Sequence, residues 1–209
     1  MPNMGRRSNP PLTGSPADRN KPAPHNSAQG PYHKPIPMPP FIIRPATPDD
    51  VPRILGLIRE LAAYEREPHA VLASEEDLLR DGFHEPTRFH CLIAECESAP
   101  AGFALYFYNY STWRGHAGIH LEDLFVRPAF RGRGIGRALL SSVAAIAVAQ
   151  GCPRLEWAVL DWNTPAIDFY ASVHAVPMSE WTTMRLSGGA LAALAASAAP
   201  APVTASRPE

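Results

Sequence analysis

From position 51 onward apolar residues return every three or four places, at Val51, Ile54, Leu55, Ile58, Leu61 and Ala62, the period of one helical face. Thr47 can cap this helix, Pro48 suits its first position, and Asp50 stands at capping-box distance from Thr47. The preceding Phe41-Ile42-Ile43-Arg44 reads as a strand, and Tyr64 and Glu65 fall where the chain leaves the helix and a loop would present them. Ser74 with Asp77 marks a second capping box ahead of a short apolar face, Leu78, Leu79 and Phe83, which Gly82 interrupts. Residues 90–95 and 102–108 predict two strands of a hairpin, joined by the turn-like Cys96-Glu97-Ser98-Ala99-Pro100. Another strand over about 118–126 leads through Arg127-Pro128 to a glycine-rich stretch. The next helix then presents Ile135, Leu139, Val143, Ile146 and Ala147 and ends near Gly151. Residues 154–160 read as a strand, Thr164-Pro165 opens a helix through Ile167, Tyr170 and Val173, and residues 181–186 are expected to close the sheet. Hairpin strands followed by strand-helix-strand predict an α/β domain with a mixed sheet.

Composition sets the limits of that domain. The chain has 209 residues, enough for one domain with a substantial core and two tails. Residues 1–39 are crowded with proline and lack apolar periodicity, so they are expected to be disordered. Residues 40–187 form the domain, and 188–209 are an alanine-rich tail, partly helical or frayed. The proline-rich tail holds Arg6, Arg7, Arg19, Lys21 and Lys34 against Asp18, a balance of +4, so the remainder carries −5 of the net −1. That mild acidity suits a cationic substrate better than a nucleic acid. No apolar stretch follows the basic residues near Met1, and none approaches the ~18 residues of a membrane span. Neither a secretory signal nor a membrane partner is expected. Cys91, Cys96 and Cys152 are an odd set without metal spacing, and the histidines, His116 and His120 included, form no zinc pattern. The expectation is a reducing, cytoplasmic setting, buried or incidental thiols, and no metal.

The chemistry starts at Arg131-Gly132-Arg133-Gly134-Ile135-Gly136-Arg137, between the strand and a helix. N–H groups of a first helical turn lack intrahelical partners, so a glycine-rich entry to a helix can hold a phosphate or pyrophosphate. The Walker loop fails, because Gly136 is followed by Arg137 and Ala138. The Rossmann pattern fails, because Arg137 stands where its third glycine should be. The pattern that fits is Arg-x-x-Gly-x-Gly, on Arg131, Gly134 and Gly136, which resembles the acetyl-coenzyme A pyrophosphate loop of the GNAT superfamily of N-acetyltransferases.

Four further segments match one branch of that superfamily in order: Phe41-Ile42-Ile43-Arg44-Pro45-Ala46-Thr47, Leu61-Ala62-Ala63-Tyr64-Glu65, Leu121-Glu122-Asp123-Leu124-Phe125-Val126 and Trp162-Asn163-Thr164-Pro165-Ala166-Ile167-Asp168-Phe169-Tyr170. Across residues 41–187 the chain resembles the spermidine/spermine (diamine) N-acetyltransferases. The resemblance implies a GNAT fold with a mixed, mostly antiparallel central sheet, acetyl-CoA as cosubstrate, and a homodimer.

An alkylammonium with a pKa near ~10.4 is almost wholly protonated at neutral pH and cannot attack a thioester, so a base must first take its proton. The resemblance assigns that role to Glu122, through a water, and the role of acid toward the departing thiolate to Tyr170. Side chains alternate along a strand, so Glu122 and Asp123 are expected on opposite sides, with Asp123 either binding a remote ammonium or stabilising the fold. Backbone groups of Leu124, Phe125 and Val126 are expected to pair with the pantetheine amides, with an N–H there holding the carbonyl oxygen as it gains charge. Gly132, Gly134, Ile135 and Gly136 would cradle the pyrophosphate, with Arg131, Arg133 and Arg137 adding charge. Ala166 lies in the segment matched to the coenzyme site, and Asn163 either contacts the coenzyme arm or caps the following helix. For the amine, Tyr64, Glu65, Asp161 and Glu180, with Trp113 as a further aromatic, supply the acidic and aromatic partners a cation needs. His174 stands where the family has glycine at a helix end.

The reading is an N-acetyltransferase acting on a small primary amine, either a diamine or polyamine or a lysine analogue such as thialysine. An amino-acid substrate would also need a cationic partner for its carboxylate, which the sequence does not place. The alternatives are acetylation of a protein or peptide, and a non-catalytic acetyl-CoA-binding module.

Overall fold

The computed structural model describes residues 40–198. The disorder expected over 1–39, and the tail beyond 198, lie outside those residues. Thr47 and Asp50 form the expected capping box, closing a turn of 3-10 helix, Pro48–Asp50, that runs into α1 (Val51–Tyr64). Ser74 and Asp77 do the same for α2 (Glu75–Phe83). The apolar stripe of α1 buries Val51, Ile54, Leu55 and Leu57 against the sheet.

Five strands lie in spatial order β1 (Phe41–Pro45), β2 (His90–Cys96), β3 (Ala99–Ser111), β4 (His116–Val126) and β5 (Leu155–Glu156). The first three pairings are antiparallel and β4/β5 is parallel, so the sheet is mixed and mostly antiparallel. β2 and β3 are buried on both faces, which is why Cys91 to Ala94 read as a continuous apolar run. Cys91, Ile93, Phe103 and Leu105 face α1 and α2, whereas Leu92, Ala94, Ala104 and Tyr106 face α3 (Ile135–Ala149). The β2–β3 connection is tighter than expected. Glu97 and Ser98 alone make it, both at positive φ, 51° and 64°, the handedness of a two-residue hairpin turn built without glycine.

Asp50 is fully buried yet charged because Arg44 grips both its oxygens, at 2.6 and 2.8 Å, and also reaches Glu95. That contact holds the Asp50 carboxyl far below the usual carboxylate range and ties α1 to β1 and β2. Cys91, Cys96 and Cys152 are buried and form no disulfide with one another, in line with the sequence reading. No helix among the described residues is long and apolar enough to cross a membrane.

Two expected strands are corrected. Of residues 154–160 only Leu155 and Glu156 pair, with Ile119 and His120, and the chain then parts from β4. Residues 181–186 form no strand: residues 176–198 are exposed throughout, and the two-residue β5 offers no edge long enough to pair them. Both segments carry apolar residues of the kind strands favour, but a strand exists only where a neighbour accepts its hydrogen bonds. Within the tail, α5 (Gly188–Ala196) is helical.

Candidate active site

The parting of β4 from β5 opens a cavity of about 760 Å³. β4 lines one wall from Leu121 to Val126, and α4 (Thr164–Ala171) brings Ala166, Phe169 and Tyr170 to another. Because β5 pairs with β4 only at Ile119 and His120, no strand among the described residues covers the outer edge of Leu124, Phe125 and Val126. That edge is free to hydrogen-bond an extended ligand, apart from the Val126 carbonyl, which accepts from Arg131 Nε at 2.9 Å.

The floor is the glycine loop. Gly132 (φ 75°) and Gly134 (φ 80°) adopt the left-handed conformation that favours glycine, and Gly134 is the N-cap of α3. The first helical hydrogen bond runs from Ala138 N–H to Gly134 C=O, so the N–H groups of Ile135, Gly136 and Arg137 have no helical acceptor. A side chain on Gly136 would meet nothing closer than Val126 Cγ2 at 3.7 Å, so this glycine leaves the cavity open rather than relieving a clash. These features fit a pyrophosphate. Arg131 and Arg137 line the cavity, but Arg133 does not. Its guanidinium lies over Phe130, bonds the Ala129 carbonyl at 3.3 Å, and stands 3.8 Å from Cys96 Sγ, because the loop turns at Gly132 and sends it to the far side.

The carboxylates stand differently from strand alternation. Leu121 pairs with Tyr106 and Asp123 with Leu105, so the ladder slips by one and Glu122 has no partner on β3. This β-bulge puts Leu121 in the core under α3 while Asp123 takes the opposite face. Glu122 and Asp123 therefore both line the cavity, together with Glu65 at the end of α1. Glu122 is the exposed one, its side chain 57% accessible and 3.6 Å from His120 Nε2. Burial pushes the Asp123 carboxyl up to about 7, helped by the charges of Glu122 and Glu65, and burial also raises Glu65.

Tyr170 packs its ring 4.9 Å from Trp157 and 5.3 Å from Phe169. Its hydroxyl bonds no other described side chain. Burial, followed by the Glu65 charge, pushes its pKa up to about 12, which keeps the proton on at neutral pH. Asn163 is buried and its side chain makes no cap bond. Its Oδ1 instead accepts from the Tyr64 hydroxyl at 3.0 Å, and the Arg131 guanidinium lies 4.7 Å from the Tyr64 ring centroid.

Asp161, Glu180 and Trp113 are exposed and lie outside the cavity, Trp113 at the tip of the β3–β4 hairpin. Among the lining residues that sequence reasoning did not assign to the site, Trp157 and Arg185 carry the chemistry. Trp157 belongs to the strand-like run after Arg154, and its alternation with Leu155 and Val159 was its only signal. Arg185 lies in the segment expected to close the sheet, which hid it.

Comparison with known proteins agrees with this geometry. The acetyltransferase (GNAT) family matches residues 54–175. The chain is similar to thialysine N-epsilon-acetyltransferase of Bos taurus, 44% identical over 165 residues, covering 74% of this chain and 96% of the relative. Spermidine/spermine N(1)-acetyltransferase-like protein 1 of Homo sapiens is 40% identical over 146 residues, covering 66% of this chain and 21% of that protein. Among solved structures, an integron cassette protein from the mobile metagenome of V. cholerae superposes with a TM-score of 0.64 at 30% identity, covering 74% of this chain and 97% of its own.

Proposed function

The chain belongs to the acetyltransferase (GNAT) family, and from that premise we propose that it transfers acetyl from acetyl-CoA directly to a primary amine of a small cationic molecule, a diamine, polyamine or lysine analogue. One observation carries the reading: a single cavity gathers an anion-binding helix entry, an uncovered strand edge, three carboxylates and a protonated tyrosine. Acetyl-CoA supplies the thioester. Ile135, Gly136 and Arg137 hold its pyrophosphate through their N–H groups, Arg131 and Arg137 add charge, and Leu124 to Val126 pair with its pantetheine arm. Asn163 keeps its amide NH₂ for the coenzyme while its oxygen is engaged by Tyr64.

Glu65 and Asp123 draw the ammonium inward. Glu122, exposed enough to keep a water beside it, takes the proton through that water and frees the amine lone pair for attack. A backbone N–H of the uncovered β4 edge holds the oxygen as charge collects there. Tyr170 donates a proton to the thiolate as the carbon–sulfur bond breaks, and the second proton that the attacking nitrogen sheds as the amide forms restores the phenol.

Residues 176–198 leave Trp181, Met184, Leu191 and Leu194 uncovered, which supports a homodimer in which a second copy covers them. Sedimentation of the full chain as a monomer at micromolar concentration would contradict that arrangement. Buried cysteines that form no disulfide with one another suit a cytoplasmic setting. Acetyl transfer is tested by following free thiol with acetyl-CoA and a panel of putrescine, spermidine, lysine, thialysine and peptides. Release is expected with the small amines. Release with peptides alone would favour a protein acetyltransferase, and coenzyme binding without release would mean a binding module.

A further inference from the structure

We propose that Arg185 is a specificity-determining residue that receives the carboxylate of an amino-acid acceptor, so that the site favours a side-chain ammonium on an amino acid over a bare diamine or polyamine. The inference rests on the acetyl-transfer reading above and specifies its substrate.

Three carboxylates, Glu65, Glu122 and Asp123, face the cavity. They attract any alkylammonium and repel a carboxylate, so an amino acid enters only if a cation answers its negative end. Three arginines line the same space. Arg131 is engaged by the Val126 carbonyl and the Tyr64 ring, and Arg137 donates to Ser172 Oγ at 3.0 Å; both belong to the glycine loop and its helix. Arg185 arrives from a different stretch of chain, and among the described residues no hydrogen bond or ion pair holds its guanidinium. No ion pair joins it to Glu65, Glu122 or Asp123, although all four line one cavity.

The cavity therefore keeps opposite charges apart instead of neutralising them internally. That arrangement is complementary to a molecule carrying an ammonium at one end and a carboxylate at the other. A guanidinium fork binds a carboxylate through two parallel N–H donors, which a diamine cannot use. A bare diamine would leave the Arg185 fork unanswered, and its second ammonium would arrive without the carboxylate that accompanies the α-ammonium of an amino acid. The other anion that could seek Arg185 is a phosphate of the coenzyme, and the two sources separate by which Michaelis constant moves.

The experiment pairs L-lysine with cadaverine, which is lysine without its carboxylate, in wild type and Arg185→Gln, measuring kcat/KM for each acceptor and KM for acetyl-CoA. The expected result is a fall of at least about tenfold in the lysine-to-cadaverine ratio, carried by the lysine KM, with acetyl-CoA KM unchanged and partial recovery in Arg185→Lys. A parallel fall for both acceptors, or a rise confined to acetyl-CoA KM, overturns the assignment of Arg185 and leaves the transferase reading standing. Absence of amine-dependent turnover in wild type overturns both.

Discussion

The Tyr64 hydroxyl donates to Asn163 Oδ1 at 3.0 Å, joining the end of α1 to the start of α4 across 99 positions of sequence. The bond is reinforced beside it, where the Tyr64 and Trp162 rings lie 6.2 Å apart and the Arg66 guanidinium sits 4.3 Å from the Trp162 centroid. It therefore fixes how the carboxylate-bearing end of α1 meets the tyrosine-bearing helix. Tyr64→Phe removes one hydrogen bond of about 1 kcal/mol and leaves a buried amide oxygen unpaired. The expected outcome is a roughly fivefold loss in kcat/KM with the fold intact, checked by steady-state kinetics and circular dichroism. Unchanged kinetics would show that the bridge does not position the site.

Asp123 makes stability depend on pH in a defined direction. Its carboxyl is pushed up to about 7 from an ordinary value near 3.8, so between those values the folded chain holds a proton that the unfolded chain releases. The stabilising contribution is complete below the lower value and is lost as pH rises through the upper one. Asp123→Asn should therefore match wild type near pH 4 and exceed it above pH 7, by on the order of 2 kcal/mol in thermal or urea unfolding. A cationic acceptor favours the ionised form, so its binding near pH 6.5 should release protons. Calorimetry in buffers of different ionisation enthalpy measures that release.

Tyr170→Phe keeps the ring against Trp157 and removes only the hydroxyl, which bonds no other described side chain. Turnover should fall about a hundredfold while acetyl-CoA affinity, measured by calorimetry, holds. Undiminished turnover would remove Tyr170 from the mechanism.

His174 adopts φ 64° just past α4, the left-handed conformation foreseen from its place at the usual glycine. His174→Gly should stabilise the chain by about 1 kcal/mol, raising its melting temperature without changing kcat. A lower melting temperature would mean that the imidazole contributes more than its backbone costs.

Much of this site was legible in the sequence because it depends on local chemistry. The stripe of α1, the two capping boxes and the helix-opening glycines each follow from residues within a few positions of one another, and Tyr170 comes from the resemblance of its segment to the family. The features that resisted depend on a partner strand. The bulge at Glu122 arises from how β4 registers against Leu105 and Tyr106, which no property of Leu121-Glu122-Asp123 announces. Residues 157–160 and 181–186 carry strand-like apolar residues but lack a neighbour that accepts their hydrogen bonds. Arg133 and Arg137 look equivalent in the loop, but Arg133 precedes the left-handed N-cap Gly134 while Arg137 sits in the first turn of α3, and only Arg137 lines the cavity.

Direct transfer passes acetyl from the thioester to the amine with no acetylated enzyme between them. Its most direct test is to quantify free thiol and acetylated amine together in one reaction, for wild type and for Glu122→Gln. Wild type should yield the two products in one-to-one ratio, with both rates falling together by about a hundredfold or more in the variant near neutral pH. Thiol release without acetylated amine, or a Glu122→Gln rate equal to wild type, would contradict it.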